Sequence, residues 1–323
     1  MSLKTCRSYE SICAIGIDLG GTGIKSGIAD FNGKIIASRN RLSPVDKGAR
    51  AILNAIIESG AELIEIASKR NLKIVSVGVG SPGGIDVEKG IVLGNTPNIP
   101  DWGGVKLRDI ISKALNLPCA VDNDANLFML AESLFGAARG CRNAIGLTLG
   151  TGIGSGLLID GKIYHGSGWI GGEIGHVPIV ANGRKCKCGL RGCLEVYASA
   201  PALVRLYKQL GGVKLKGLDT ASIFNLAKSH DEIATLAVEK WCDYLAWGIA
   251  SAVNLLNPEA VILGGGVAEA GNFLKSKVEN AIQGKIIPVT MKGLKIKIAE
   301  LGNKAGWLGA SAHALASIGN TKA

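Results

Sequence analysis

One histidine and three cysteines are spaced along the sequence as the ligands of a single metal ion would be. His176 is followed by Cys186, Cys188 and Cys193. Three thiolates and one imidazole favour tetrahedral zinc. Because four protein ligands leave no coordination position open, such a zinc ion would be structural rather than catalytic. Buried thiols without a metal, or a disulfide, are the alternative interpretations of these cysteines.

The segment Asp122-Asn123-Asp124 carries a candidate general base between a predicted strand and a predicted helix. A carboxylate at Asp124 can accept the proton of a hydroxyl group that attacks a phosphorus atom, while a metal ion and backbone dipoles hold the developing charge. The alternative is that Asp124 or Asp122 only caps the helix, which is predicted from about Asn126. The segment alone leaves both interpretations open, and Asp122 receives no role.

Two glycine-rich turns share one pattern, and each follows an apolar strand. Gly21-Thr22-Gly23-Ile24-x-Ser26-Gly27 recurs as Gly150-Thr151-Gly152-Ile153-x-Ser155-Gly156. Glycine allows backbone N–H groups to point into a concavity that suits phosphate oxygens. Neither turn fits the Walker A pattern, and extended sequence rather than a helix follows each, so P-loop and Rossmann sites are disfavoured. A purely structural hairpin turn is the alternative, but two matched copies with a threonine in each favour phosphate binding.

Two further features belong to the same hypothesis of a phosphate site. Asp18 ends the first of these strands, beside the predicted phosphates. A carboxylate in that place requires a cation, most simply Mg²⁺. A third glycine cluster, Gly264-Gly265-Gly266, follows an apolar strand and would form an edge where a flat nucleotide base could lie.

The elements that would position these residues are predicted from apolar patterns. Residues 12–19 and 74–80 are continuous apolar runs typical of buried strands, and a turn at Asn32-Gly33 joins two further strands. Residues 48–70 carry apolar residues at helical spacing. The alternation of strands and helices indicates an α/β architecture. The repeated turn indicates a duplicated strand–turn–strand unit, one copy per domain, and two such units facing each other would form a cleft.

Composition excludes several classes of protein. The 323 residues indicate about two domains, and 47% hydrophobic with 19% charged residues exclude a disordered chain. The 46 glycines have no three-residue period, which excludes collagen. The net charge of +10 comes from scattered basic residues, and only 5% of residues are aromatic, so we expect no nucleic-acid partner. Neither a secretory signal nor a membrane-spanning run is present, so we expect a cytoplasmic protein.

The motifs DLGGTGIKSGIAD, DNDAN, LGTGIGSG, GGEIGHV and CKCGLRGCLE, in this order, resemble the ROK family (repressor, open reading frame, kinase). Within it the chain is most similar to the bacterial ATP-dependent glucokinases, from about residue 12 to the C-terminus. The resemblance implies a two-domain actin/hexokinase-like fold with a duplicated ribonuclease-H-like core and a cleft between the domains. We expect a small domain of residues 1–120, joined by the C-terminal helix at 302–323, and a large domain of 121–301 with the zinc loop.

The resemblance also implies roles for individual residues. Asp124 would be the catalytic base, and the metal ligands would be the histidine and three cysteines described above. Sugar contacts would come from Asn123, Asp124, Glu173, His176, Glu195, Gly84 and Asn98. ATP contacts would come from Asp18, Gly20, Gly21, Thr22, Lys25, Thr151, Gly152, Gly265 and Gly266.

The activity implied by this resemblance is transfer of the γ-phosphate of ATP, with Mg²⁺, to the 6-hydroxyl of glucose. An N-acetylmannosamine kinase or another ROK hexose kinase is the alternative among enzymes. ROK repressors carry a helix-turn-helix domain before the sugar domain, and the 11 residues before the first predicted strand are too few for one. A sugar sensor without catalysis is a third alternative. A homodimer or higher homo-oligomer is expected from the family and from the prevalence of symmetric enzymes.

Overall fold

The structure is a computed structural model that describes residues 12–94, 96, 99–213 and 217–319. Backbone contacts divide the chain into two compact units. Unit 1 contains the described residues of 1–135, 166–170 and 303–323, and unit 2 contains those of 136–165 and 171–302. None of the helices in these ranges is long and apolar enough to cross a membrane.

Unit 1 is built on a five-stranded sheet in the order β3-β2-β1-β4-β7. β2 lies antiparallel to both β1 and β3, whereas β4 runs parallel to β1 and β7 parallel to β4. A short two-stranded ribbon, β5 with β6, is separate from this sheet. The elements are β1 (Ile12–Leu19), β2 (Gly23–Asp30), β3 (Ile35–Leu42), α1 (Gly48–Lys69), β4 (Lys73–Ser81), β5 (Gly84–Asp86), β6 (Ile91–Gly94), α2 (Leu107–Leu115), β7 (Cys119–Asn123), α3 (Asp124–Phe135) and α10 (Ala305–Gly319).

Helices cover both faces of this sheet, which is why β1 and β4 carry apolar residues on both of their faces. On one face, Ile15 and Ile17 of β1 pack with buried residues of α1 and α2. On the other face α10 lies directly against the strands. Gly16 and Gly78 make this approach possible, because a Cβ at either position would overlap a backbone carbonyl oxygen of α10. Asp18 has the same strand parity as Gly16, so it faces α10.

Unit 2 repeats this topology, with a sheet in the order β10-β9-β8-β11-β12. β9 lies antiparallel to β8 and β10, and β11 runs parallel to β8 and β12. The long helix α7 supplies much of the core, including the fully buried Trp241. The elements are β8 (Ala144–Leu149), β9 (Ile153–Ile159), β10 (Lys162–Ile163), α4 (Glu195–Ala198), α5 (Ala200–Gln209), α6 (Thr220–Lys228), α7 (Glu232–Leu256), β11 (Ala260–Gly264), α8 (Asn272–Ala281), α9 (Pro288–Met291) and β12 (Lys295–Ile298).

The two sheets match strand for strand, which confirms the α/β fold with a duplicated core. Gly16 pairs with Gly27 in unit 1, and Gly146 pairs with Gly156 at the corresponding place in unit 2. Each glycine-rich turn closes the hairpin between the first two strands of its sheet. The sequence repeat therefore marks a repeated piece of structure.

The division into units differs from the predicted domain boundary between residues 120 and 121. That boundary falls inside β7, which is hydrogen-bonded to β4 in the sheet of unit 1. α3 follows β7 directly and packs against α10, so unit 1 continues to Phe135. At the other end of the chain, a 3-10 turn at Gly302–Lys304 precedes α10, which begins at Ala305.

Candidate active site

The carboxyl ends of neighbouring strands in unit 1 bring Asp18 and Asp124 close together. Asp18 lies opposite Gly80 of β4 in the strand register, and Gly80 lies opposite Asp122 of β7. A Cβ at Gly80 would be 3.6 Å from the Asp18 Oδ1 and 3.7 Å from the Asp124 Cα. The pKa of Asp18 is raised to about 7, first by burial and then by the Asp124 carboxylate, while Lys25 lowers it. A cation here would relieve the repulsion between the two carboxylates.

Asn123 caps helix α3. Its Oδ1 accepts hydrogen bonds from the N–H groups of Ala125 at 2.9 Å and Asn126 at 3.2 Å, and its Nδ2 donates to the Gly83 carbonyl at 3.1 Å. The helix begins at Asp124, two residues before the predicted start. The Asp124 carboxylate accepts a hydrogen bond from the Ala125 N–H at 2.9 Å, and the residue is half-buried. The cap does not depend on Asp124, since the N–H that its carboxylate contacts also donates to Asn123.

Asp122 stabilises the connection between β7 and α3 through buried hydrogen bonds. Its Oδ1 accepts hydrogen bonds from the Asn123 N–H at 2.7 Å and from the Asn126 Nδ2 at 3.0 Å. The side chain is buried, and Asn126 is buried beside it. These bonds fix the direction in which the chain leaves β7.

The first glycine-rich turn is completed by residues from the C-terminal part of the chain. The Gly20 N–H donates to the Gly23 carbonyl at 2.9 Å, which leaves Gly21 and Thr22 exposed at the tip. Lys25 lies opposite Asp18 in the strand pair. Two contacts come from residues that the sequence analysis missed, Asn303 and Gly306. No local signal could have found them, because they are far from the turn in sequence.

Asn303 and Gly306 contact the two charged residues of the turn region. The Lys25 Nζ donates to the Asn303 Oδ1 at 2.8 Å. Gly306 lies at the start of α10, where a Cβ would be only 2.5 Å from the Asp18 Cγ. The C-terminal segment thus fixes Lys25 and limits the space around Asp18.

The second glycine-rich turn borders a pocket in unit 2. Thr151 is exposed at the tip of this turn. Gly265 approaches the end of β8 so closely that a Cβ would be 2.5 Å from the Leu149 carbonyl oxygen, and its φ of +81° favours glycine. The pocket has a volume of about 690 Å³. Its lining residues are Thr151, Ala200, Pro201, Val204, Arg205, Lys208, Gln209, Leu218, Asp219 and Thr220.

The three residues predicted to contact sugar from unit 2 lie close to one another. Glu173 precedes a short 3-10 helix, Ile174–His176, and Glu195 begins α4. The pKa of Glu173 is raised mainly by burial of its carboxyl; the nearby His176 opposes this rise, and the Glu195 carboxylate adds to it. The Glu195 Oε2 accepts a hydrogen bond from the Ile153 N–H at 3.0 Å. The group therefore combines hydrogen-bond acceptors with an imidazole.

The predicted zinc ligands converge. The donor atoms of His176, Cys186, Cys188 and Cys193 all lie within 4.8 Å of one another. The Cys186 Sγ is 3.8 Å from the His176 Nδ1, and the Cys188 Sγ is 3.7 Å from the Cys193 Sγ. Tetrahedral zinc with Zn–S bonds of about 2.3 Å places its sulfurs about 3.8 Å apart. Both the chemistry of the donors and their spacing fit a zinc ion.

Gly84 and Asn98 are the remaining predicted sugar contacts. Gly84 begins β5, and a Cβ there would overlap the side chain of Ile170 from the segment 166–170 of the same unit. Asn98 lies outside the described residues.

Asp18, Lys25, Asn123 and Asp124 thus belong to unit 1, together with the first glycine-rich turn. Unit 2 contains the second turn, Gly265 and Gly266, the Glu173 group and the cysteines.

A profile described as the ROK family matches residues 14–317. The chain belongs to the ROK family. A glucokinase of Thermotoga maritima is 37% identical over 316 residues, which cover 94% of this chain and 98% of that protein. The crystal structure of a ROK family glucokinase from Streptomyces griseus, in complex with glucose and AMPPNP, matches with a TM-score of 0.83 at 32% identity, covering 94% and 99%.

ROK proteins similar to this chain also include a repressor. A xylose repressor of Caldicellulosiruptor bescii is 30% identical over 314 residues, which cover 94% of this chain and 78% of the repressor. Membership of the family therefore leaves the choice of function to the residues of the site.

Proposed function

We propose that this ROK family chain is a glucokinase that transfers the γ-phosphate of ATP to the 6-hydroxyl of glucose. Glucose is the proposed substrate because glucokinases are similar to the chain over nearly its full length. The observation that carries the proposed phosphate transfer is the position of Asp124. Its carboxylate lies at the start of α3 and close to Asp18, which belongs to the strand that leads into the first glycine-rich turn, while Asn123 makes the helix cap.

Asp124 would act as the general base in this reaction. The sugar oxygen forms a bond to the γ-phosphorus as the bond between that phosphorus and the β–γ bridging oxygen breaks, and ADP leaves. The proton of the sugar hydroxyl passes to the Asp124 carboxylate. Asp18 would hold the Mg²⁺ of the nucleotide, whose charge stabilises the phosphates during transfer. Lys25, held by Asn303, would place a positive charge beside the same phosphates.

The pocket beside Thr151 is suited to the nucleoside part of ATP. Ala200, Pro201, Val204 and Leu218 give it apolar walls on which a flat base could lie. The adjacent turn would receive the phosphates, since its glycines expose the backbone. Gly265 and Gly266 belong to the same region, because the segment that begins at Gly266 packs against both α6 and β8.

The cysteine cluster would hold a structural zinc through His176, Cys186, Cys188 and Cys193. Zinc would supply no chemistry to the transfer; it would fix the loop that ends at Glu195. Coordination through the Nδ1 of His176, the nitrogen that faces Cys186, would leave the Nε2 to a sugar hydroxyl. Glu173 and Glu195 would accept hydrogen bonds from neighbouring hydroxyls.

A panel of sugars in a coupled assay of ADP release tests this proposal. We expect glucose to stimulate ADP release with a higher kcat/KM than N-acetylmannosamine, mannose or fructose. A preference for N-acetylmannosamine would change the substrate but keep the kinase. Glucose binding measured by calorimetry without ADP release from any sugar would instead identify a sugar sensor and refute the proposal.

Two further expectations remain proposals, a homodimer or higher homo-oligomer and the absence of a nucleic-acid partner. Light scattering of the purified chain measures the first. Gel shifts with duplex DNA at physiological salt, with and without glucose, test whether the chain binds nucleic acid. This test is needed because repressors occur among the relatives.

A further inference from the structure

We propose that Glu195 positions the phosphate-binding turn of unit 2, and that it does so whether or not sugar is bound. This inference rests on the proposed function, because it assigns the turn to ATP. The Glu195 Oε2 accepts a hydrogen bond of 3.0 Å from the Ile153 N–H. Ile153 is the first residue of β9 and follows directly after Gly150-Thr151-Gly152. The carboxylate therefore fixes the end at which the turn rejoins the sheet.

The shape of the turn depends on this carboxylate. A Cβ at Gly152 would lie 2.5 Å from the Glu195 Oε2 and 3.3 Å from its Cδ, so the carboxylate occupies the place of a side chain. The corresponding residue of unit 1 is Gly23, and there a Cβ would meet the Arg41 carbonyl oxygen at 3.3 Å. One copy of the turn thus packs on the backbone of its own sheet. The other packs on a carboxylate from a separate element.

The segment that carries Glu195 is fastened at both ends. The Leu194 N–H donates to the Val177 carbonyl at 2.9 Å, in the strand-like stretch that follows His176. The Ala200 N–H donates to the Gly150 carbonyl at 2.8 Å. Residues 194–200 therefore contact the turn at both of its ends. Ala200 bonds to Gly150, the first residue of the turn, and Glu195 bonds to Ile153, which directly follows the turn. A change in the cysteine loop would reach the turn along this route.

These bonds also decide which backbone donors can meet a phosphate. The Gly150 N–H donates to the Gly152 carbonyl at 3.0 Å, and the Ile153 N–H donates to Glu195. The N–H groups left for a phosphate are those of Thr151 and Gly152. If the acceptor at position 195 is lost, the Ile153 N–H has no partner, and the turn no longer presents one fixed pair of donors.

Nucleotide affinity in the absence of sugar separates this role from a sugar contact. Calorimetry of the full chain with AMPPNP and Mg²⁺, without sugar, is carried out on Glu195→Ala, Glu195→Gln and Gly152→Ala. We expect Glu195→Ala and Gly152→Ala each to weaken AMPPNP binding by about tenfold. In Glu195→Ala the part-buried Ile153 N–H loses its acceptor, and in Gly152→Ala the new Cβ displaces the Glu195 carboxylate. Glu195→Gln should stay within about threefold of the unchanged chain, since its amide oxygen can accept the same bond.

Two controls complete the experiment. Glu173→Ala should raise the KM for sugar and leave the AMPPNP affinity unchanged. Gly293→Ala, where a Cβ meets nothing within 4 Å, measures the effect of a glycine substitution alone. An unchanged AMPPNP affinity in Glu195→Ala and Gly152→Ala would overturn the inference, as would a Glu195→Gln variant as weak as Glu195→Ala. If the unchanged chain does not bind AMPPNP at all, the proposed function itself fails, and this result is distinct from the others.

Discussion

Gly306 belongs to no motif, yet its replacement by alanine should damage catalysis more than stability. The new Cβ would lie 2.5 Å from the Asp18 Cγ, where carbon atoms in contact are normally 3.5–4.0 Å apart. The Asp18 carboxylate must therefore move by about 1 Å, since Gly306 is held by helix α10. A displacement of about 1 Å in a reacting arrangement typically costs on the order of 100-fold in rate. We expect kcat to fall by about that factor.

The stability of the Gly306→Ala variant should change little. Alanine restricts the unfolded chain more than glycine does, by about 0.4–1 kcal/mol, which offsets part of the cost of the contact with Asp18. The assay is steady-state ADP release at several Mg²⁺ concentrations, together with a thermal melt and the Gly293→Ala control. The expected result is a lower kcat and a higher Mg²⁺ requirement at a similar Tm. A variant with unchanged kcat and Mg²⁺ requirement would refute the placement of the cation at Asp18.

Three further perturbations test other parts of the site. The raised pKa of Asp18 means that ionisation of this carboxyl destabilises the folded chain without Mg²⁺ as the pH rises from about 4 to about 7. In thermal melts from pH 4 to 8, Asp18→Asn should therefore lose less stability than the unchanged chain, and an equal pH dependence in both proteins would contradict this. Asn303→Ala removes the acceptor of the Lys25 ammonium and should raise the KM for ATP severalfold, with little change in the KM for sugar. Equal changes in the two KM values would argue against a role of Lys25 at the phosphates. Cys188→Ser should lower the zinc content from about one ion per chain and lower the Tm, and a fully active chain without metal would exclude the zinc site.

The regular elements could be predicted from the sequence because their patterns are local and strong. β1 and α1 begin and end within one residue of their predicted limits. The strand is one continuous apolar run, and the helix has apolar residues at helical spacing along its length. The start of α3 was predicted two residues late because asparagine and aspartate are equally good N-caps, so the sequence does not show that Asn123 rather than a neighbouring aspartate caps the helix. The division into units differs from the predicted domain boundary because the pairing of β7 with β4 cannot be seen in the sequence of β7 alone.

The candidate site was predictable where its residues are neighbours in sequence. The cysteines and His176 span fewer than twenty residues, and their donor atoms do converge. Asn303 and Gly306 could not be predicted, since only the fold brings α10 to the end of β1. The bond from Ile153 to Glu195 could not be predicted either, because it joins residues that are 42 positions apart in the sequence.

The duplicated core has become specialised at equivalent positions. In unit 1 the first two strands pair Asp18 with Lys25 just before and after the turn. The equivalent pair in unit 2 is Thr148 with Gly154. At these equivalent positions unit 1 therefore has a charged pair and unit 2 a neutral pair, and the pocket proposed for the nucleoside borders the turn of unit 2.

The most direct measurement of the central claim is turnover and glucose affinity in Asp124→Asn. If Asp124 is the general base, kcat should fall by about 10²- to 10⁴-fold. The dissociation constant for glucose, measured by calorimetry, should stay within about threefold, because asparagine keeps the shape of the side chain and one oxygen that accepts hydrogen bonds. Turnover close to that of the unchanged chain, or glucose binding lost together with turnover, would contradict the assignment of Asp124 as the base.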